Sequence, residues 1–238
     1  RMVHQGLGWA LSRTGRIATV SEFSRAELAE KLRLRAQSIL LAPNGGDHFL
    51  GRVPDESVLD ALGLRQTRYF LFVGNPAPNK NLSVLLQAFK RLDRPGAKLV
   101  IAGSLDSHVF QSAGSSGDEG VIVTPGRSDA EVAALYKHAT AHVFPSLYEG
   151  FGIPPLEAMA SGCRVIASDI PVTREVCGEA ASYFQPNDPD ALAAQMRRHW
   201  DEPASSANAR TAAAARVKRF NWEASARSLM DALVAPGQ

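Results

Sequence analysis

Two glutamates flank a glycine-containing turn in the second half of the chain. Glu149 precedes the turn and Glu157 follows it, with seven residues between them. An ionised carboxylate accepts hydrogen bonds from two neighbouring hydroxyl groups, so this pair is suited to holding a sugar or a ribose. Pro154 and Pro155 fit the first turn of a helix, where a missing N–H group costs nothing. A helix beginning here would leave N–H groups of the preceding turn free to bind an anion or a hydroxyl group.

A lysine in an earlier turn is the third candidate for chemistry. Lys80 lies between the apolar run Tyr69–Val73 and a helical pattern that contains Leu82, Leu85 and Phe89. The helix dipole disfavours a positive charge at a helix N-terminus, so a lysine at the opening of this helix calls for a compensating negative charge. A bound diphosphate would supply one, because it brings two anionic groups to one ammonium. The other interpretation is a surface lysine whose stem packs on its neighbours.

The elements that position these residues alternate between strand and helix. Strands mostly without polar alternation, each followed by a helix, predict an α/β fold with a doubly wound, Rossmann-like parallel sheet. Ligands on such sheets bind at the carboxyl ends of the strands, which places Gly74, Gly103, Gly126 and Glu149 along one edge. We predict strands at 69–73, 98–102, 121–123, 141–144, 164–167 and 182–184, and helices at about 80–92, 106–113, 128–138, 154–162 and 172–177.

The ends of the chain add further elements. Residues 1–15 resemble the end of a helix, and strands are predicted at 16–20 and 38–42. Between those strands, Ser21 is a candidate N-cap for a helix that begins near Ser24. Residues 188–234 are predicted to form two or three helices, and 114–120 is a flexible loop with no assigned role.

Composition excludes several classes of protein. The 238 residues are 45% hydrophobic, which is enough for a substantial core, and carry a net charge of +2, so nothing calls for nucleic acid. The two cysteines, Cys163 and Cys177, favour buried free thiols in a reducing cytosol. No apolar run is long enough to span a membrane. The sequence has no dinucleotide or Walker motif and no metal-ligand spacing, and His142 is interpreted as a packed histidine.

The eighteen-residue segment Pro145–Gly162 closely resembles the donor-binding motif of the retaining glycosyltransferases of family 4. The resemblance implies the C-terminal half of a GT-B fold and favours this interpretation over a helix start with two solvated glutamates. It makes Lys80 and Glu149 the catalytic residues. Lys80 would contact the donor phosphates, Glu149 the donor sugar and Glu157 the ribose. The donor site that it implies consists of Gly74, Asn75, Asn79, Lys80, Gly126, Arg127, Glu149, Gly150, Phe151, Gly152, Ile153 and Glu157.

One departure from the family pattern concerns the diphosphate. The family usually places an arginine directly after the glycine or directly before the lysine, where this chain has Asn75 and Asn79. One positive charge on the leaving diphosphate is therefore missing or comes from elsewhere in the chain. Arg127, in the loop where family members recognise the nucleobase, is a candidate for a base or phosphate contact. An exposed loop arginine is the alternative.

The resemblance implies transfer of a hexose from a GDP-, UDP- or dTDP-linked donor to a glycan or lipid-linked acceptor, without a cofactor or a metal. The segment Ile170–Gly178 resembles members that build O-antigens and capsules, often with GDP-mannose or dTDP-rhamnose as the donor. Of these we favour a GDP-linked hexose such as GDP-mannose. The expected location is the cytoplasm, at the inner face of the membrane if the protein makes a peripheral contact there. A nucleotide-sugar-binding subunit without catalysis is the alternative function; a GT-B epimerase or phosphorylase fits the motifs less well.

The resemblance also divides the chain. Residues 1–45 would be the tail of an N-terminal acceptor domain and a linker, with most of that domain outside this chain. Residues 46–219 would bind the nucleotide sugar. Residues 220–238, which begin with Phe220-Asn221-Trp222, would form a final helix that packs at the domain junction.

Overall fold

A parallel sheet of six strands forms the centre of the fold. The computed structural model describes residues 17–75, 77–103, 119–202 and 207–234. Along the sheet the strands follow the order β5-β4-β3-β6-β7-β8, and every neighbouring pair is parallel. These strands are β3 Tyr69–Val73, β4 Lys98–Ala102, β5 Val121–Thr124, β6 Ala141–Phe144, β7 Val165–Ser168 and β8 Ala181–Phe184.

Helices cover both faces of this sheet, which confirms the doubly wound α/β prediction. On β3 the side chains of Tyr69 and Leu71 belong to one apolar cluster, whereas Phe70 and Phe72 belong to the other. All four are buried because a strand with helices on both sides has no solvated face. The helices are α1 Glu22–Leu32, α2 Ser57–Ala61, α3 Leu82–Lys90, α4 Asp129–His138, α5 Ile153–Ala160, α6 Pro171–Cys177, α7 Pro189–Asp201, α8 Ala207–Arg219 and α9 Trp222–Val234.

A small two-stranded parallel sheet, β1 Ile17–Thr19 and β2 Ile39–Leu41, lies at the start of the described chain. Helix α1 connects the two strands. Ser21 is its N-cap, as predicted, because its hydroxyl group accepts the N–H of Ser24 at 3.0 Å. At the other end of the chain, the hydroxyl group of Ser228 in α9 donates to the carbonyl of Leu41 at 3.2 Å. The final helix therefore contacts this small sheet.

The predicted strands agree closely with the structure. Those at 69–73, 98–102 and 141–144 have the predicted bounds, and the others differ by one residue at one or both ends. Helix α1 begins at Glu22 rather than near Ser24, and α5 ends at Ala160 rather than 162. The predicted helices at 1–15 and 106–113 and most of the loop at 114–120 lie outside the described residues. Among the described helices, none is both long and apolar enough to cross a bilayer.

The predicted helix at 80–92 is wrong at its start. Pro78–Lys80 forms a 3₁₀ turn, and α3 begins only at Leu82. Asn81 separates the two because its backbone adopts the left-handed region with φ 52°, which asparagine tolerates better than most residues. The amide of Asn81 fixes this conformation by donating to the carbonyl of Pro186 at 2.7 Å.

Candidate functional site

The sheet topology brings the two candidate turns together. Strands β3 and β6 are neighbours, and their carboxyl ends lead into the lysine turn and the glutamate turn, respectively. The chain winds away from this point in opposite directions along the sheet, and such switch points are where α/β sheets bind ligands. Two hydrogen bonds join the turns, since Leu147 N–H donates to the Asn79 carbonyl at 2.8 Å and the Asn79 amide donates to the Tyr148 carbonyl at 3.1 Å.

Lys80 and Glu149 form an ion pair at this edge. The ammonium Nζ lies 2.5 Å from Oε1 of Glu149, and the two side chains are 23% and 13% exposed. The ammonium also lies 5.6 Å from the centroid of the Phe144 ring at the end of β6. Lys80 ends a separate 3₁₀ turn and directly precedes Asn81, the N-cap residue of α3, so it lies just before the first turn of that helix. The helix-dipole reason for a phosphate ligand stays a prediction. The largely buried ion pair supports an anion site more directly, since an incoming anion would compete with Glu149 for the ammonium.

The glycine turn has the geometry that the sequence predicted. Gly152 is the N-cap residue of α5, with φ 100° and ψ 79°. Within the described residues, the N–H groups of Phe151, Gly152 and Ile153 make no hydrogen bond. They are available to an anion or a hydroxyl group at the N-terminus of α5.

The N-terminal end of α1 also contacts the glycine turn. The hydroxyl groups of Ser21 and Ser24 donate to the carbonyl of Gly150, at 2.6 and 3.0 Å. Glu175 of α6 in turn accepts the N–H groups of Glu22 and Phe23, at 2.7 and 3.0 Å. Helix α1 is thus fixed against the turn at its N-terminus.

Glu157 lies in α5, with its side chain 15% exposed. Its Oε1 lies 3.1 Å from Nε2 of His48, and its Oε2 accepts the hydroxyl group of Tyr136 at 3.2 Å. Burial raises the pKa of this carboxyl group above its usual value, and Asp129 adds to the rise, whereas His48 and Tyr136 oppose it. The structure shows no direct contact between Glu157 and Glu149; each carboxylate has its own partners.

Arg127 follows β5 at the same end of the sheet, but it is engaged locally. Its Nε donates to Oγ1 of Thr124 at 2.5 Å, and its NH1 group pairs with Glu131 at 2.7 Å. Glu131 also completes the capping box of α4 with Ser128. A ligand contact by Arg127 stays a prediction. The ligand would have to compete with Glu131 for the guanidinium group.

The glycines of the edge allow close packing between strand ends. A Cβ atom on Gly103, after β4, would lie 2.0 Å from the carbonyl oxygen of Gly74, after β3. Gly74 has φ 139° and Gly126, after β5, has φ 68°, values that favour glycine. Asn75 follows Gly74 in the bend that leads to the lysine turn.

The model of the family described as Glycosyl transferases group 1 matches residues 56–217, which contain both turns and all six strands of the main sheet. The chain belongs to this family. Over 233 residues, this group 1 chain is 32% identical to O-antigen chain mannosyltransferase B of Escherichia coli, covering 94% of the chain and 61% of that relative. The chain thus spans about three fifths of the relative's length.

Solved structures agree on the fold. The group 1 chain superposes on sucrose-phosphate synthase from Thermosynechococcus elongatus with a TM-score of 0.74 and 26% identity, over 92% of this chain and 57% of that one. It superposes on HepE from Anabaena, solved in complex with UDP and glucose, with a TM-score of 0.83 and 16% identity, over 99% of this chain and 68% of that one. These neighbours confirm the expected half of a GT-B fold.

Sequence reasoning missed two of the side chains that surround Glu157 in this group 1 chain. His48 lies 109 positions earlier in the chain, in the 3₁₀ turn Asp47–Phe49. Tyr136 lies within the apolar face of α4, where it has the pattern of a core residue. The only sequence signal for His48 is its place directly after the turn cluster Pro43–Asp47.

The other titratable groups singled out in the sequence are structural. His142 is fully buried, donates its Nδ1–H to the Leu71 carbonyl at 3.1 Å, and has its pKa lowered to about 3 by burial. Cys163 and Cys177 are buried thiols, as predicted. Among the described residues of the group 1 chain, no group of three histidine, cysteine or acidic side chains is placed to hold a metal ion. Independence from metal stays a prediction.

Proposed function

We propose that this chain is the donor-binding half of a retaining glycosyltransferase that transfers mannose from GDP-mannose to a glycan or lipid-linked acceptor. One observation carries the proposal: Lys80 pairs with Glu149, two residues before Phe151, the first of the three residues with unpaired N–H groups at the start of α5. A cation, a carboxylate and a helix N-terminus thus meet at the switch point of the sheet. A nucleotide sugar presents groups that match each of them, namely a diphosphate and a hydroxylated ring.

The chemistry follows from where charge develops. As the bond between the anomeric carbon and the β-phosphate oxygen breaks, positive charge grows on the sugar ring and negative charge grows on the departing diphosphate. Lys80 and the N–H groups of Gly152 and Ile153 would stabilise that negative charge. In this proposal Lys80 leaves Glu149 when the diphosphate binds, which releases the carboxylate to orient the sugar hydroxyl groups.

Glu157 is assigned to the ribose. Its two carboxylate oxygens each have one partner in the protein, and each keeps further acceptor capacity for a vicinal diol. Because the pKa of Glu157 is raised, its carboxylate is protonated at a higher pH than that of a solvated glutamate. As the pH falls, donor binding should therefore begin to weaken at a higher pH. Its contribution is positional rather than chemical.

The sugar and the nucleobase are supported by the relatives. GDP-mannose rests on the resemblance of residues 170–178 and on the mannosyltransferase named in the comparison, at 32% identity. The neighbour that holds UDP and glucose is only 16% identical and supports the fold alone. We place the reaction in the cytoplasm, with peripheral membrane contact for a lipid-linked acceptor, and expect an N-terminal acceptor domain as a partner. No metal or other cofactor is needed if Lys80 and α5 supply the positive charge.

The test is release of GDP from GDP-mannose with water in place of the acceptor, followed by NMR of the freed sugar. We expect α-mannose first, because retention preserves the configuration of the donor, and slower release of UDP from UDP-glucose. First appearance of β-mannose would contradict retention. Binding of GDP-mannose without any release, also after an acceptor domain is added, would instead support a binding subunit.

A further inference from the structure

Glu157 is connected to the last helix of the chain through a single side chain. His48 lies between them, with Nε2 at 3.1 Å from the carboxylate of Glu157 and Nδ1 at 3.3 Å from the indole Nε1 of Trp222. Trp222 is the first residue of α9. We propose that His48 is a positioning residue for Glu157, and that Trp222 fixes the state of His48 in which it does so. The inference rests on the proposed function, in which Glu157 binds the ribose of the donor.

The indole determines which nitrogen of His48 carries the proton. An indole N–H can only donate, so Nδ1 of His48 must accept from Trp222. The proton of the neutral imidazole then lies on Nε2, which donates to Oε1 of Glu157. The carboxylate is therefore held by two donors, His48 on one oxygen and Tyr136 on the other.

The ring of His48 is held in this position by aromatic packing on one side, although its side chain is 32% exposed. It packs edge-on against the neighbouring Phe49 ring, with centroids 5.0 Å apart, and Phe49 is itself buried against Tyr136 at 5.9 Å. Both donors to Glu157 thus belong to one aromatic cluster, formed by His48, Phe49 and Tyr136. A carboxylate held in this way loses little further freedom when it binds a diol.

The backbone couples the same turn to α9. Oδ1 of Asp47, the residue before His48, accepts the backbone N–H of Trp222 at 2.9 Å. The N–H of Gly46 donates to the carbonyl of Phe220 at 3.1 Å. The start of α9 is therefore bound to both residues of the Asp47-His48 pair. A shift at the start of α9 would move His48 and, through it, the carboxylate of Glu157.

Two substitutions of His48 separate positioning from a general structural role. In His48→Gln the side-chain amide can occupy the place of Nε2 and still donate to Glu157. In His48→Asn the amide extends only as far as Nδ1, so it can contact Trp222 but not Glu157. Trp222→Phe keeps an aromatic ring and removes the indole donor. The probes are GDP and 2′,3′-dideoxy-GDP, which share the base and the diphosphate but differ in the ribose diol.

We expect His48→Asn to weaken GDP binding about 10-fold, the scale of a hydrogen bond to a charged group, and to leave dideoxy-GDP binding within about 2-fold. His48→Gln should restore most of the GDP affinity. Trp222→Phe should weaken GDP binding by about 3-fold, with the same selectivity. Circular dichroism and thermal unfolding of each variant check that the fold is retained.

Equal losses for the two nucleotides, or unchanged GDP affinity in His48→Asn, would overturn the role of His48 while leaving the donor site in place. Failure of the wild-type protein to bind GDP would contradict the proposed function itself, and this proposal with it. The two failures are distinguishable because only the second concerns the unmodified protein.

Discussion

The ammonium of Lys80 lies 2.5 Å from the carboxylate of Glu149, although the two residues are 69 positions apart. The pairing arises because β3 and β6 are parallel neighbours whose carboxyl ends both open into turns. In the structure, the cation proposed for the diphosphate neutralises the carboxylate proposed for the sugar. Donor binding would separate the pair and give each charge a partner on the ligand. The ion pair therefore links two residues for which the family resemblance implies contacts with different parts of the donor.

Lys80→Gln should lower turnover more than donor affinity. The ammonium is placed to act on charge that develops as the diphosphate departs, and loss of one such group typically lowers kcat by about 100-fold or more. The donor Kd should change by less than about 5-fold, because Lys80 must leave Glu149 to bind the ground state. GDP release from GDP-mannose and calorimetric titration measure the two quantities. Lys31→Gln is the control, since Lys31 pairs with Glu27 at 2.6 Å on the exposed face of α1. Equal effects on turnover and affinity would contradict the assignment.

Alanine substitutions of the glycines at the two ends of α5 should lower the free energy of unfolding by different amounts. Gly152 has φ 100°, and an added Cβ would lie 3.3 Å from the ring of Phe144, whereas Gly162 has φ 76° and open space around it. We expect Gly162→Ala to cost about 1 kcal/mol of unfolding free energy and Gly152→Ala about 2–3 kcal/mol. Urea denaturation measures both. Only Gly152→Ala should also weaken GDP binding, because it displaces the N–H groups of the turn. Equal free energies of unfolding for the two variants would show that the turn accommodates the alanine without strain.

His142 should make the protein lose stability in mild acid. Burial lowers its pKa to about 3 from an ordinary value of 6.5, so between these values the unfolded chain binds a proton that the folded chain does not. The free energy of unfolding therefore falls as the pH falls, by up to about 1.4 kcal/mol per pH unit from this residue. His142→Gln should reduce that slope in urea denaturation between pH 6.5 and 4. His199, with its pKa lowered to about 4 by burial, should act with the same sign. An unchanged slope in His142→Gln would show that the buried ring is not the source.

Much of the fold could be predicted because its signals are local. The apolar runs at Tyr69–Val73 and Ala141–Phe144 and the glycines after them mark the sheet and its functional edge within a few residues. The start of α3 could not be predicted, because the left-handed conformation of Asn81 depends on its hydrogen bond to Pro186, 105 positions away. Local pattern carries no information about such a partner.

The site shows the same division. The candidate residues of the two turns were found from spacing and resemblance, and their roles stay predictions. The partners of Glu157 were missed because His48 and Tyr136 reach it only through the packed fold, and neither has a distinctive neighbourhood in the sequence. Arg127 was proposed from its loop, but its pairing with Glu131 became visible only when α4 and its capping box were in place.

The most direct test of the donor site is calorimetric titration of the chain with GDP, UDP, dTDP and ADP, with Glu157→Ala as the site variant and Glu27→Ala as an exposed control. We expect GDP to bind selectively, Glu157→Ala to weaken it by at least about 10-fold, and Glu27→Ala to leave it unchanged. Selective binding of another nucleotide would support the assigned donor site but would show that the donor carries a base other than guanine. Absence of binding by all four nucleotides, or equal GDP affinity in wild type and Glu157→Ala, would contradict the assignment.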